Sequence, residues 1–140
     1  MRIFSWISVL LLFSAFLMAN DTYKWERVYE VGDLTIDMDT SKVTFGQTHI
    51  GRVTFRWTWA ELHSLKLTPG GSYKSRIELT EIDCVNRRFH TAEVRLFDAQ
   101  GKPIELNRFV PSTKWDSVKP GGIMEGIFPH ACKLIASRSK

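Results

Sequence analysis

The stretch RVTFRWTW, residues 52–59, alternates strictly between polar and apolar side chains. Its apolar members share one parity: Val53, Phe55, Trp57 and Trp59. Because successive side chains of a β-strand point to opposite faces, this period of two predicts a strand with one packed and one solvated face, as in many antiparallel sheets. Trp57 and Trp59 are accordingly predicted to lie in the core. In the alternative, an exposed pair would stack on sugars or on the side chains of a partner.

Segments with the same period flank this stretch, so the prediction extends to a whole sheet. They occupy residues 23–31, 33–39, 42–45, 73–84, 89–98 and 103–109. In the first of them, the residues expected to face the core are Trp25, Tyr29 and Val31. In the segment 73–84 the apolar parity changes after Leu79, which predicts either a β-bulge near Thr80–Glu81 or a strand covered on both sides.

The C-terminal part of the chain changes character after Pro120-Gly121-Gly122, which predicts a break. Beyond it, apolar residues recur at broadly helical spacing: Ile123, Ile127, Cys132, Leu134 and Ile135. Pro129 has no amide hydrogen to donate and suits the first turn of a helix, so we predict a short helix from about Pro129 to Ala136, with an earlier turn before it. The predicted fold is α+β, a single antiparallel sheet of about six strands with this helix packed on one face.

The N-terminal residues predict export. Arg2 precedes an apolar run from Ile7 to Met18, and the small residue Ala19 stands before a polar Asn-Asp pair. This layout predicts a signal peptide over residues 1–19 and a single domain over residues 20–140. A membrane anchor is the alternative, although the apolar stretch is short beside the roughly 20 residues that a spanning helix needs. We expect no transmembrane anchor after cleavage, and a location in the periplasm, at the outer-membrane surface or outside the cell.

The two cysteines of the chain, Cys84 and Cys132, are expected to be bonded to each other, because exported proteins with an even number of cysteines commonly hold disulfides. This bond would pin the C-terminal helix to the end of a strand. A zinc site is the first alternative, but it needs four ligands at close spacing. A catalytic thiol is the second, and it needs a nearby base.

No motif in the sequence predicts catalysis. The histidines at positions 49, 63, 90 and 130 show no metal-ligand spacing, and His90 shares the parity of the apolar residues around it, which indicates a core-edge position. Asp37 and Asp39 would make a carboxylate pair, but aspartates are also common beside turns. We therefore predict no enzymatic activity, no cofactor and no metal. The net charge of +4 is modest, and nucleic acid is not an expected partner of an exported protein.

Five arginines are the candidate partner-binding residues. Arg52, Arg56 and Arg76 share one parity on consecutive predicted strands, which indicates a basic patch for acidic glycans or acidic protein segments; the alternative is a solvated face with cross-strand ion pairs. Arg87 and Arg88 follow the first cysteine on a turn that the disulfide would make rigid, which would present them to carboxylates or sulfates at low entropy cost. In the alternative both are merely solvated. Replacing both by Ala is expected to weaken binding without lowering thermal stability, since a solvated turn contributes little to the fold.

A combination of features carries a family resemblance. A tryptophan lies near the predicted mature start, Asp83–Phe89 holds a cysteine followed by basic and aromatic residues, and Trp115–Pro120 leads into the second cysteine. In these respects the chain resembles the surface-adhesin protein E family of Gram-negative bacteria over most of its predicted mature length. The resemblance implies an antiparallel sheet whose C-terminal helix is tied to it by the disulfide, and it implies binding to host matrix proteins.

The sequence and the resemblance together predict an exported, non-catalytic, adhesin-like protein. Its predicted partners are host extracellular matrix proteins or acidic glycans. Two alternatives stay open: a periplasmic envelope accessory protein without an adhesive role, and a hydrolase whose site carries no recognisable motif.

Overall fold

A computed structural model describes residues 22–47, 49–64, 72–104 and 113–139, and the structural statements below refer to these residues. The predicted signal peptide, residues 1–19, lies outside them, as do residues 105–109 of the last predicted strand. The described elements are β1 Trp25–Val31, β2 Leu34–Asp39, β3 Thr44–Gln47, β4 Ile50–Ser64, β5 Ser72–Asp83, β6 Arg88–Phe97, β7 Pro103–Ile104, β8 Asp116–Ser117 and α1 Ile123–Arg138.

The described strands form one antiparallel sheet in the order β1-β2-β4-β5-β6-β7, with β3 paired to β4 and β8 paired to β6. The central strand β4 is 15 residues long, so it pairs with β3 near its start and with β2 further along. The predicted fold class is confirmed: an antiparallel sheet with a C-terminal helix pinned by a disulfide. The described sheet has eight strands where about six were expected; β3 and β7 correspond to predicted segments, and β8 has no counterpart among them.

The core lies between one face of the sheet and α1. The alternating stretch buries the side chains that were predicted to be inside: Val53, Phe55, Trp57 and Trp59. The same cluster takes Leu34, Ile36 and Met38 from β2, and Ile127, Phe128, Ala131 and Ile135 from α1. We call this side of the sheet the helix face. The other side, which carries Arg52, Thr54 and Arg56 of β4, is called the open face.

The prediction that Trp25, Tyr29 and Val31 share one side is wrong for Trp25, whereas Tyr29 and Val31 pair with the helix-face residues Ile36 and Leu34. Val28 is the buried residue of β1, whereas Val31 is 47% exposed. The β1–β2 register shifts between Arg27 and Tyr29, and such an irregularity exchanges the two faces of the strand beyond it. Tyr29 still packs against the core, but Trp25 lies on the open face beside Arg56.

The bulge predicted near Thr80–Glu81 of β5 is wrong, because β5 pairs with β4 without a shift there. The strand carries Ile77 and Leu79 on the open face and Ile82 on the helix face, as the alternative of a strand covered on both sides expected.

A second irregularity lies in β6. The β5–β6 register shifts between Leu79 and Thr80. On β6, Leu96 is buried on the helix face, but beyond the shift His90 pairs with Glu81 on the open face. The expected core-edge position of His90 is therefore wrong, because a single-strand parity cannot be carried across a bulge.

The C-terminal helix is longer than predicted. It spans Ile123–Arg138, and Pro129 lies inside it on its exposed side instead of in its first turn. An interior proline costs about 3 kcal/mol, but four side chains on the opposite side of α1 are buried, and each contributes roughly 1.5–3 kcal/mol when it is large and apolar. Among the described helices, none has the length and apolar character that crossing a membrane requires.

Two glycines set the distance between α1 and the sheet. A β-carbon on Gly126 would lie 2.3 Å from the ring of Tyr29, and one on Gly51 would lie 2.5 Å from the side chain of Ile135. Contacts this short do not occur, so the helix approaches the sheet closely only because both positions lack a side chain. At the C-terminal end of α1, Arg138 donates to the carbonyl of Thr40 at 2.8 Å, and Thr40 directly follows β2.

Candidate binding surfaces

The Cys84–Cys132 disulfide joins the end of β5 to the middle of α1, as the sequence predicted. The two Cα atoms are 5.8 Å apart, which is within the ordinary range for a disulfide. Neither cysteine is free, so a metal-binding or reactive thiol is excluded at both positions. The turn between β5 and β6, residues 84–87, is consequently fixed at its first residue.

Arg87 is the exposed residue of this turn. Its φ angle is +50°, a left-handed conformation that is uncommon for residues other than glycine. The conformation is held by the backbone, because the carbonyl of Arg87 accepts a hydrogen bond from the amide of Val118 at 3.0 Å. Its guanidinium carbon lies 5.6 Å from the ring centroid of Phe128 on α1. The side chain is thus accessible and rests on the helix.

Arg88 has a different environment from its neighbour. Its Nε donates to Oδ2 of Asp83 at 2.8 Å, and its guanidinium carbon lies 4.7 Å from the ring centroid of Trp115. Asp83 is completely buried. The hypothesis that both arginines are simply solvated is therefore wrong for Arg88, and we now expect its removal to lower stability. A buried carboxylate would lose its cationic partner.

Asp83 organises the base of the turn. Its Oδ1 accepts from the amide of Asn86 at 3.0 Å, and its Oδ2 accepts from the Asn86 side chain at 2.9 Å. Burial alone would raise the pKa of Asp83. The hydrogen bonds from Asn86 and Arg88, with the nearby His49, outweigh that effect and lower the pKa to about 2. The sequence signal was available, since an aspartate that starts a turn commonly bonds the backbone ahead of it.

On the open face, Arg56 is held in an ion-pair network. Its Nη2 lies 2.9 Å from Oδ2 of Asp37, while Nε of Arg27 lies 2.7 Å from Oδ1 of the same carboxylate. Burial opposes the charge of Asp37, but these two arginines lower its pKa overall. The guanidinium carbon of Arg56 also lies 4.6 Å from the ring centroid of Trp25. Asp37 therefore fixes the positions of two guanidinium groups, those of Arg27 and Arg56.

Asp39 also has its hydrogen-bonding needs met within the fold. Its Oδ1 accepts from the amides of Lys24 and Ser41 at 2.9 and 3.0 Å, and from the Ser41 hydroxyl at 2.6 Å. Asp37 and Asp39 point their carboxylates at different partners, so they do not form a shared acid–base pair. Within the described residues, no group of three or more histidine, cysteine and acidic side chains is placed to hold a metal ion.

Arg76 lies on the helix face, so the predicted patch of Arg52, Arg56 and Arg76 on one face is wrong in this member. Arg76 pairs with Trp57 across the β4–β5 ladder. Its guanidinium carbon stacks 4.5 Å from the ring centroid of Trp57 and 5.2 Å from that of Trp59. Alternation within β4 and within β5 was correct, but the pairing register between the two strands decides which parities share a face.

A buried acid near this stack was not anticipated from the sequence. Glu78 is buried on the helix face, and its Oε1 lies 2.8 Å from Nε of Arg76. Burial raises the pKa of Glu78, while Arg76 and Trp57 partly oppose that increase. The signal was weak, because Glu78 lies in a strand segment whose neighbouring parity, Ile77 and Leu79, is the more apolar one.

A glutamate whose pKa is higher in the folded state stabilises the fold least when it is ionised. We therefore expect the Glu78→Gln variant to gain stability relative to the wild type as the pH rises above the ordinary glutamate value of 4.5. Urea unfolding of both proteins at a series of pH values measures this difference. A difference that stays constant between pH 4 and 8 would contradict the assignment.

Arg52 borders a groove on the open face with a volume of about 260 Å³. Ile77 and Leu79 of β5 form its floor, and side chains of β4 and β6 stand on either side. Of the predicted partner-binding arginines, Arg87 is thus accessible on the 84–87 turn and Arg52 beside this groove.

The fold and these surfaces define a small α+β domain whose helix is fixed to the sheet by a disulfide. The chain belongs to the surface-adhesin protein E family, whose model matches residues 25–133. The resemblance that the cysteine and tryptophan motifs indicated is thereby confirmed. Among curated proteins, no match was found.

Solved structures similar to the chain include three of protein E from Haemophilus influenzae. Protein E from the non-typeable strain has a TM-score of 0.59 at 11% identity, with 83% of this chain and 80% of that chain covered. A second crystal form gives 0.57 at 12% identity, covering 82% and 88%, and a third structure gives 0.56 at 12%, covering 82% and 85%. At this identity the likeness establishes the fold alone.

Proposed function

We propose that the chain is an exported, non-catalytic, adhesin-like binding protein, whose partners are host extracellular matrix proteins or acidic glycans. Family membership supports the adhesin-like role. The observation that carries the proposal is the presentation of Arg87 at a turn that is fixed on every side. The preceding disulfide, the Val118 hydrogen bond and the Asp83 network each restrict the turn before any partner arrives.

Restriction of this kind favours binding. A partner that contacts a rigid turn does not have to order it, which reduces the entropy lost on association. A guanidinium can also bridge a carboxylate or a sulfate with two parallel hydrogen bonds, which are roughly twice as strong as neutral ones. Arg87 is therefore the residue of the turn on which we place the contact, and Arg88 acts by holding Asp83.

Replacing Arg87 by Ala is expected to weaken binding to the cognate matrix protein or sulfated glycan about tenfold, which corresponds to a loss of about 1.4 kcal/mol. Stability should change little, because the side chain is exposed. Affinity of the wild type should also fall as salt is raised, since exposed charges are screened within about 8 Å at physiological ionic strength. Surface plasmon resonance on a panel of matrix proteins and sulfated glycans measures these effects.

Lys102→Ala is the matched control, because it removes one exposed positive charge from the turn before β7, at the opposite end of β6. Equal affinities of wild type and Arg87→Ala would remove the turn from the contact surface. If the wild type binds no member of the panel, the adhesive role is wrong and the envelope-accessory role is favoured.

A further inference from the structure

We propose that the groove on the open face binds an acidic sugar of a carboxylated or sulfated glycan. This inference rests on the proposed function, because it assigns a site to one of the two partner classes named there. The groove is distinct from the 84–87 turn. It lies over β4, β5 and β6, and residues of the segment 22–44, Lys42 among them, line its other side.

The sheet register gives the groove its shape. In one row across the open face, Ile77 stands between Arg56 on β4 and Arg95 on β6; in the next row, Leu79 stands between Thr54 and Glu93. Neighbouring strands lie about 4.8 Å apart, so the side chains of one row are close to each other. In each row the apolar side chain has a longer polar side chain on at least one side. The result is an apolar strip along β5 with polar walls.

The cations of the groove are available to a ligand. No described residue forms an ion pair with Arg95 or Lys42. Arg52 has Glu81 only at 3.8 Å, a separation too long for a hydrogen bond. Of the acids that line the groove, Asp39 is buried and occupied by its own hydrogen bonds, as described above, and Glu93 is exposed. The accessible groups therefore favour an anion.

A sugar ring fits the remaining chemistry of the groove. Such a ring has an apolar face of C–H groups and an edge of hydroxyls, which match the strip of Ile77 and Leu79 and the hydroxyl of Thr54. Tyr23 stands at the side of the groove, 4.8 Å from Trp25 between ring centroids, and offers a flat apolar surface. An amphipathic ring with one acidic group would therefore use the floor, the hydroxyls and the cations together.

An extended peptide is a poorer occupant. Peptides that bind to sheets usually add a strand at an exposed edge, where main-chain groups are free. β5 is paired along its length with β4 on one side and β6 on the other, so its main-chain groups are already used. A ligand in the groove can therefore form contacts with side chains but not with the main chain of β5.

The test is calorimetric titration of the full exported chain with a heparin hexasaccharide and a hyaluronan hexasaccharide, with cellohexaose as the neutral probe. The Lys42→Ala/Arg95→Ala variant is expected to bind the acidic probe about tenfold or more weakly, because each lost cation removes a charge-assisted hydrogen bond. Its matched control is Lys119→Ala/Lys133→Ala, which removes the same charge from exposed positions outside the groove. The control should bind like the wild type.

A second variant separates a shaped site from diffuse charge. Thr54→Tyr leaves the charge unchanged but places a large side chain over the groove, next to Leu79, and it should also abolish binding while the melting temperature shows that the fold is kept. If both double variants bind the acidic probe equally weakly, the inference is wrong. It is also wrong if the Thr54→Tyr variant binds the probe like the wild type. The absence of any binding to both acidic probes would overturn it as well. If the protein binds neither acidic probe but still binds a matrix protein, this inference is wrong and the proposed function is still supported.

Discussion

Loss of the Cys84–Cys132 bond is expected to lower the free energy of unfolding by about 4 kcal/mol. The cysteines are 48 positions apart, so the bond closes a loop of 49 residues counted with both ends. In the chain-entropy model, closure of a loop of that length removes about 4 kcal/mol of conformational freedom from the unfolded chain. Because small domains are stable by only roughly 5–15 kcal/mol, this one covalent bond supplies a large part of the total.

The measurement is urea unfolding of the Cys84→Ala/Cys132→Ala variant beside the wild type. The double replacement avoids leaving a single reactive thiol. Wild type treated with reductant is the control, and it should unfold at nearly the same urea concentration as the variant, with a larger denaturant slope than the oxidised protein. A loss below about 1 kcal/mol would contradict this expectation and would mean that the bond strains the folded state or that the reduced unfolded chain keeps residual structure.

The second large effect is expected at Asp83. Its folded pKa of about 2 lies below its unfolded value near 3.8, so the ionised form stabilises the folded state. A depression of this size corresponds to about 2 kcal/mol of stability above pH 4, and that contribution is lost as the pH falls through the folded value. Asp83→Asn should therefore cost about 2 kcal/mol at pH 7 and almost nothing near pH 2.

Asp116→Asn is the matched control, since it removes the same charge from an exposed carboxylate on β8. Thermal unfolding of the three proteins between pH 2 and 7 would show the difference directly. If Asp83→Asn is as stable as wild type at pH 7, the network of Asn86, Arg88 and Asp83 does not stabilise the turn. The Arg88→Ala variant should follow the same pattern, because it leaves the buried carboxylate without its cation.

The parts of the fold that depend on one strand at a time were predictable. Alternation placed Val53, Phe55, Trp57 and Trp59 inside, and the parity change after Leu79 indicated a strand with apolar side chains on both faces. Both signals are local and can be interpreted without knowledge of the neighbouring strands. The disulfide was equally accessible, because a chain with two cysteines offers one pairing.

Other features depend on more than one segment and could not be obtained in this way. Arg76 was assigned to the same face as Arg56, but Arg56 pairs with Ile77, so the shared parity puts the two arginines on opposite faces. The register that decides this is set where β4 meets β5. The length of α1 was underestimated because Pro129 was weighed as a local signal, whereas burial of Ile127 and Phe128 against the sheet sustains the helix before it. The groove was missed for the first reason, since its lining comes from β2 to β6 and from residues before β1 and after β2.

The disulfide has one more consequence when the domain is pulled. An adhesin attached to a surface at one side and to a partner at the other carries tension, and a polypeptide under tension lengthens as it unravels. The bond encloses β6, β7, β8 and the first part of α1, which together would otherwise release roughly 160 Å of chain at about 3.4 Å per residue. With the bond intact that length stays locked, so force can draw out only the residues before Cys84 and after Cys132, and the attachment stays short.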